Sequence, residues 1–194
     1  MRLISLSTLA ALAACPVAAD ELDTQAVALF EAAFSDDICP LYFDDPAAPE
    51  RYDITRGEGE GTLTVFAFTC DFGAYNRVDA FVIQTNLDGL HVASFAQPAL
   101  DLTYTDENNT MESELAHLGI AGYETTATLI NAAVDERTGQ IVTQEKWRGV
   151  GDAMSAGTWD LTLQGYVLRD YEVDASYDGE LNPVSLLKNG QPVD

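Results

Sequence analysis

Two histidines, His91 and His117, are the chain's ready-made general bases or metal ligands. Neither stands in an H-E-x-x-H pattern, which would set two imidazoles one helical turn apart over a zinc ion, and no G-x-S-x-G turn presents a nucleophile to either. Carboxylates are abundant, 32 Asp and Glu against 9 Lys and Arg. Glycosidases work by the separation of two acids in space, so abundance alone singles out no catalytic pair. The run Asp106-Glu107-Asn108-Asn109-Thr110 offers oxygen ligands for Ca²⁺ but lacks the spacing of an EF-hand loop, and a solvated loop is its plainer reading. Gly57, Gly59 and Gly61 form a GxGxG that leads into a strand, so the helix N-terminus that would hold a phosphate is missing. No catalytic residue, metal site or cofactor is implied.

Two stretches carry more information. In Lys146-Trp147-Arg148-Gly149-Val150-Gly151-Asp152, two glycines permit an unusual backbone path while Arg148 and Asp152 pair across the bend. The plain reading is an ion pair holding a wide loop; the functional one is a recognition loop, with Trp147 and Trp159 bracketing it as packed or stacking aromatics. The second stretch is Thr62 to Thr85, two apolar β-rich runs joined at Asp71-Phe72-Gly73. Read as a three-residue hairpin loop with Gly73 left-handed, it sets Phe66 opposite Val78 and Phe68 opposite Asn76. One face then collects Phe66, Phe68, Cys70, Ala74, Val78, Ala80 and Val82 as the core face, and the other carries Thr69, Tyr75, Arg77 and Asp79 near the turn. Asn76 becomes a polar residue on the apolar face that must find a hydrogen-bond partner, as a latch or, with Tyr75, as a contact to a ligand.

Met1-Arg2, an apolar run from Leu3 to Ala14, and small residues before Asp20 describe an export signal over residues 1–19. The apolar run is too short to span a bilayer, so no transmembrane segment is expected. Leu12-Ala13-Ala14-Cys15 also fits a lipoprotein box, with Cys15 as the acylated residue and Pro16 awkward beside it. Loss of Arg2 with the signal takes the formal net charge from -23 to -24. No basic stripe can form, which excludes nucleic acid and leaves solubility or a basic protein partner as the use of the charge. Of three cysteines, Cys39 and Cys70 remain in the mature chain and predict a disulfide closing about thirty residues.

Leu22, Ala26, Leu29, Phe30, Ala33 and Phe34 recur at helical spacing between Glu21 and Phe34. An acidic, proline-broken connection runs on to residue 61, and the β domain covers 62–178. Its strands are read at Leu90–Ala96, Leu100–Tyr104, Tyr123–Ile130, Gln140–Trp147 and Thr158–Val173, the last a pair or one bent strand. Asn109 and Glu112 are placed to cap a short helix reaching Leu118 and ended by Gly119. Residues 179–194 read as a tail or a late edge element. The expected fold is mainly β, an antiparallel sandwich or open barrel of about seven to eight strands with one N-terminal amphipathic helix.

Cys70, Gly73, Ala74, Tyr75 and Asn76, followed by Arg148, Gly149, Val150, Gly151 and Asp152 and then by Trp159, Tyr166 and Leu168, resemble the bacterial exported family catalogued as domain of unknown function eleven seventy-six. Members show a cysteine, two residues and Gly-Ala-Tyr-Asn, then Arg-Gly-Leu-Gly-Asp-Cys-Gly and a Trp-x-Trp strand ending in Phe-x-Leu. The likeness spans roughly Thr62 to Val173. Ala153 and Leu161 depart from it, and no cysteine follows Ala153, so the family's C-terminal disulfide is absent. The resemblance implies an exported all-β domain and no mechanism. Together these features predict a periplasmic or secreted, or Cys15-anchored, binding or inhibitor-type module with an acidic surface. The alternative is a carboxylate-dependent hydrolase of an envelope glycan or ester.

Overall fold

The computed structural model describes residues 17–57, 61–106, 108, 110–111 and 113–193, with side chains from residue 21 onward. The export signal up to Pro16, the acylation candidate Cys15, Gly59 of the GxGxG, and the proposed cap residues Asn109 and Glu112 lie outside this range.

Two helices precede the strands, α1 (Val17–Ala33) and α2 (Pro40–Asp44). The first sheet consists of β1 (Glu50–Thr55), β2 (Thr62–Phe72), β3 (Arg77–Thr85) and β4 (Gly89–Val92) in that order. β5 (Phe95–Tyr104) and β6 (Leu115–Thr126) form a separate long hairpin, and β7 (Thr128–Ile130) joins β3 near its start. The second sheet runs, from one edge to the other, through β8 (Ala133–Val134), β9 (Ile141–Lys146), β10 (Met154–Leu161), β11 (Tyr166–Asp174), β12 (Val184–Lys188) and β13 (Gln191–Pro192). Every pairing is antiparallel. The sheets are not closed into a barrel, so the architecture is the sandwich of the two expected forms. Thirteen strands appear among the described residues, more than the expected number, because β4, β7, β8 and β13 span only two to four residues each and leave little pattern in sequence.

The β2–β3 hairpin is the wall between two cores. Phe66, Phe68, Cys70, Ala80 and Val82 face the helices, where the Phe30 ring stacks on Phe68 with centroids 4.0 Å apart and meets Tyr42 edge-on at 4.6 Å. Ala26 and Phe30 are fully buried, as the helical spacing requires. Leu63, Val65, Phe81 and Ile83 point the other way into the inter-sheet core with Phe95, Ile141, Trp159 and Val173. A strand covered on both faces loses the alternation of polar and apolar residues, which is why Val65 to Phe68 and Ala80 to Ile83 read as unbroken apolar runs.

The hairpin register differs from the expected one. Phe66 pairs with Val82 and Phe68 with Ala80, an offset of four residues, and a bulge between Thr69 and Asp71 brings Phe72 opposite Arg77. An even offset keeps each side chain on its face, so the expected core face survives while the partners change, except at Ala74, which lies exposed in the turn. The connection is Gly73 to Asn76, closed by the Gly73 N–H donating to the Asn76 carbonyl at 2.7 Å, and Gly73 has no positive φ. Asn76 therefore sits in the turn and not opposite Phe68.

Two further corrections follow from non-local pairing. Leu115 to Leu118 lies in β6, paired to Tyr104 through Leu102, in place of the expected short helix, because a twelve-residue strand with an established partner outweighs a cap signal. The C-terminal segment is an edge element and not a tail: Val184 and Ser185 pair with β11, and Leu186 and Leu187 are buried.

Candidate functional site

The Gly73–Asn76 turn and the Trp147–Asp152 loop are far apart in sequence and adjacent in space. Asn76 joins them. Its Nδ2 donates to the Lys146 carbonyl at 2.8 Å, and its Oδ1 accepts from the Lys146 N–H at 3.1 Å. Asn131, in the left-handed region at φ 49°, completes the junction: its Nδ2 donates to Asn76 Oδ1 and to the Gln144 carbonyl, both at 2.8 Å. Its Oδ1 accepts from the Arg77 N–H at 2.7 Å. The latch expected at Asn76 thus exists, but it reaches across to the second sheet. Asn131 was invisible in sequence because its partners lie 13 to 55 residues away.

Arg77 and Asp79 form the floor. The Arg77 Nε lies 2.8 and 2.9 Å from the two Asp79 oxygens, and one guanidinium nitrogen donates to the Ala132 carbonyl at 2.7 Å. Thr69 Oγ1 and the Ala132 N–H also donate to Asp79, whose side chain is buried where a solvent face was expected. Burial pushes the Asp79 carboxyl up, against the opposing pull of Arg77.

In the second loop, Arg148 Nε donates to Asp152 Oδ1 at 2.6 Å and a second guanidinium nitrogen donates to Oδ2, the pairing expected across the glycines. The pair also ties in a third segment. Arg148 donates to the Tyr177 carbonyl at 2.9 Å, the Gly179 N–H donates to Asp152 at 2.9 Å, and the guanidinium lies 5.2 Å from the Tyr177 ring centre. The hydrogen bond from Arg148 lowers the Asp152 carboxyl to about 2. Gly151 takes φ 78°, and Gly149 lies beside the Tyr75 ring, which an added Cβ would meet at 3.5 Å in ordinary contact.

Trp147 and Trp159 part company. Trp147 stays by the loop, 6.3 Å from Tyr177, and donates from Nε1 to Ser155 Oγ at 3.3 Å. Trp159 is buried in the inter-sheet core, with its N–H on the Ala96 carbonyl at 3.0 Å, so it is scaffold. The Cys39 and Cys70 sulfurs lie 2.08 Å apart, at bonding distance, and pin the acidic connection to the same end of the molecule.

Braced loops there hold apolar side chains in solvent: Val150 is 79% exposed, Phe72 63%, Ile38 50% and Tyr75 41%. Beside them, an open groove of about 840 Å³ is lined by Phe34, Leu41 and Phe43 together with Asp36, Asp44 and Asp71. A second cleft, about 520 Å³, lies between Phe72–Arg77 and Asn131–Ala133. It adjoins a pocket of about 240 Å³ lined by Glu50, Tyr52, Thr69, Asp79 and Phe81, since Arg77, Ala132 and Ala133 line both.

The other sequence candidates do not converge. His91 is on β4 and bonds the Gly89 carbonyl, while His117 is on β6 beside Asp101 at 3.6 Å. Asp106 accepts hydrogen bonds from Thr110 and Ser113 in its own loop. No group of three or more His, Cys, Asp or Glu placed to hold a metal ion occurs among the described residues, and no described helix is long and apolar enough to cross a membrane. Compared with models of known protein families, with curated proteins and with solved structures, the chain matches none.

Proposed function

We propose that this protein is an exported envelope domain, periplasmic, secreted or anchored through Cys15, that binds a basic protein without turning over a substrate. The observation that carries the reading is the set of exposed apolar tips, Phe72, Tyr75 and Val150, on loops braced by Asn76, Asn131 and the Arg148–Asp152 pair. Large apolar side chains held together in solvent mark a surface that a partner covers, and rigid aromatic anchors are what interface hot spots are made of. The net charge and the neighbouring acid-lined groove favour a cationic partner. Both motifs behind the resemblance to the exported family of unknown function end at this surface, and membership of that family is part of the same proposal. The Cys39–Cys70 link, formed in an oxidising compartment, would hold Ile38 and the acidic connection beside Phe72.

A cationic cell-wall hydrolase such as lysozyme is the direct probe. Binding is expected, with affinity falling steeply as ionic strength rises, together with slower clearing of a cell-wall suspension. Absence of binding, or affinity indifferent to salt, would overturn the reading.

The alternative, a carboxylate-dependent hydrolase of an envelope glycan or ester, has one observation in its favour: Glu50 and Asp79 line one pocket. Against it, Arg77, Thr69 and the Ala132 N–H occupy the Asp79 oxygens, which leaves little acceptor capacity for proton transfer. Turnover of such a substrate that is abolished by Glu50→Gln would establish it.

A further inference from the structure

The cleft behind the Phe72–Arg77 turn changes character along its depth. Phe72 and Tyr75 line its open outer part, Arg77, Ala132 and Ala133 form the shared wall, and the adjoining pocket is lined by Glu50, Tyr52, Thr69, Asp79 and the Phe81 ring. The charges around that inner end do not cancel. Asp79 is matched by Arg77, whereas Glu50 is exposed and among the described residues has only the Tyr52 hydroxyl, which donates to it at 2.6 Å. Tyr52, whose hydroxyl is pushed up to about 12, first by burial and then by its bond to Glu50, also feels the negative field of Glu136, opposed by Arg77. A passage that is mostly apolar in its outer part, with Arg77 in its wall held by Asp79 and the Glu50 carboxylate left over in the polar inner pocket, is complementary to an aliphatic stem carrying a compact positive charge. An anion would meet Glu50 and Glu136 and could turn only to Arg77, whose Nε is already held by both Asp79 oxygens, and a purely apolar group would leave the Glu50 end without a countercharge.

We propose that this cleft receives a single lysine side chain from the basic partner, with Glu50 as the countercharge and Ala132 and Ala133 along the stem. The proposal rests on the reading of the loop end as a docking surface and places its centre. Glu50 accepts from the incoming ammonium while still held by Tyr52, and Phe72 and Tyr75 cover the stem as the partner closes over the turn. A lysine is favoured over an arginine because the pocket offers one carboxylate end-on, where a guanidinium fork needs two parallel acceptors and both Asp79 oxygens are already taken by the Arg77 Nε.

The test is a titration of the full chain with Nα-acetyl-lysine methylamide, followed by amide NMR, with the norleucine analogue as the uncharged control. Saturable shifts at Glu50, Arg77, Ala132 and Ala133 are expected for the lysine compound and not for the norleucine one. Glu50→Gln should weaken them by about tenfold, the loss of one charge-assisted contact. Ala133→Leu, which narrows the shared wall and leaves every carboxylate in place, should abolish them. Shifts scattered over the acidic surface, or shifts indifferent to both variants, would overturn the assignment. If lysozyme binds both variants as tightly as wild type, the cleft assignment falls and the docking surface stands. If lysozyme does not bind wild type, the docking reading falls and the amide titration alone decides the cleft.

Discussion

Gly157 lies on β10 beneath the ring of Trp159, and replacing it with alanine is the sharpest test of the inter-sheet core. A Cβ at position 157 would stand 2.2 Å from Trp159 Cη2 and 2.5 Å from Cζ3, against an ordinary contact of about 3.4 Å or more, so the ring must move by about 1 Å. The indole has little room to do so: it is 2% exposed, edge-on to Phe95 at 6.1 Å, and anchored by its N–H to Ala96. Overpacking of this kind costs about 1–3 kcal/mol, and loss of the indole hydrogen bond adds about 1 kcal/mol. The stiffer unfolded chain returns about 0.4–1 kcal/mol, since Gly157 has no positive φ that alanine would resist. The net loss is about 1–3.6 kcal/mol, which for a chain of this size lowers the melting temperature by about 2–14 °C. Gly122→Ala is the matched control: its added Cβ meets nothing within 4 Å, and the same entropy argument predicts a gain of up to about 1 kcal/mol. Chemical denaturation followed by tryptophan fluorescence reads both. A Gly157→Ala protein as stable as wild type would refute the placement of Trp159 over the strand.

Three further outcomes follow from the same geometry. Asn76→Ala removes the junction between the turn and the second sheet and leaves the Lys146 groups unpaired, for a loss of about 2 kcal/mol by denaturant titration. Replacing Cys39 and Cys70 by serine opens a 31-residue separation and should cost about 3–4 kcal/mol in the chain-entropy model, read as the difference from the intact protein under non-reducing conditions. Burial raises the Glu145 carboxyl, with the Ser155 hydroxyl pulling the other way, so its folded pKa exceeds its unfolded value. Its contribution is then fully present below the unfolded pKa and lost as pH rises through the folded one. Melting curves at mildly acidic and neutral pH should show Glu145→Gln erasing that part of the pH dependence, and an unchanged profile would count against burial of the group.

What was legible in sequence was whatever local spacing controls. The α1 stripe ending in Phe30 and Phe34, the facing of Phe66 and Phe68, the Cys39–Cys70 pairing and the Arg148–Asp152 bend all depend on residues close in the chain or on a choice of two cysteines. The hairpin register was missed by four residues because an even slip leaves the pattern of faces untouched, and the bulge at Thr69–Asp71 carries no sequence mark. The burial of Asp79 was missed because the second sheet that covers it begins fifty residues later. Of the candidate site, Tyr75, Asn76, Arg148 and Asp152 were visible as motifs. Their convergence was not, because it runs through Asn131 and Tyr177, left-handed residues on segments with no motif of their own.

The most direct test of the central claim is the affinity for lysozyme of a variant carrying Phe72→Ser and Val150→Ser, side chains that are exposed and so dispensable to folding. If the loop end is the docking surface, this variant keeps the wild-type melting temperature and binds at least about tenfold more weakly, the loss of two apolar anchors. Unchanged affinity with an intact fold would contradict the account.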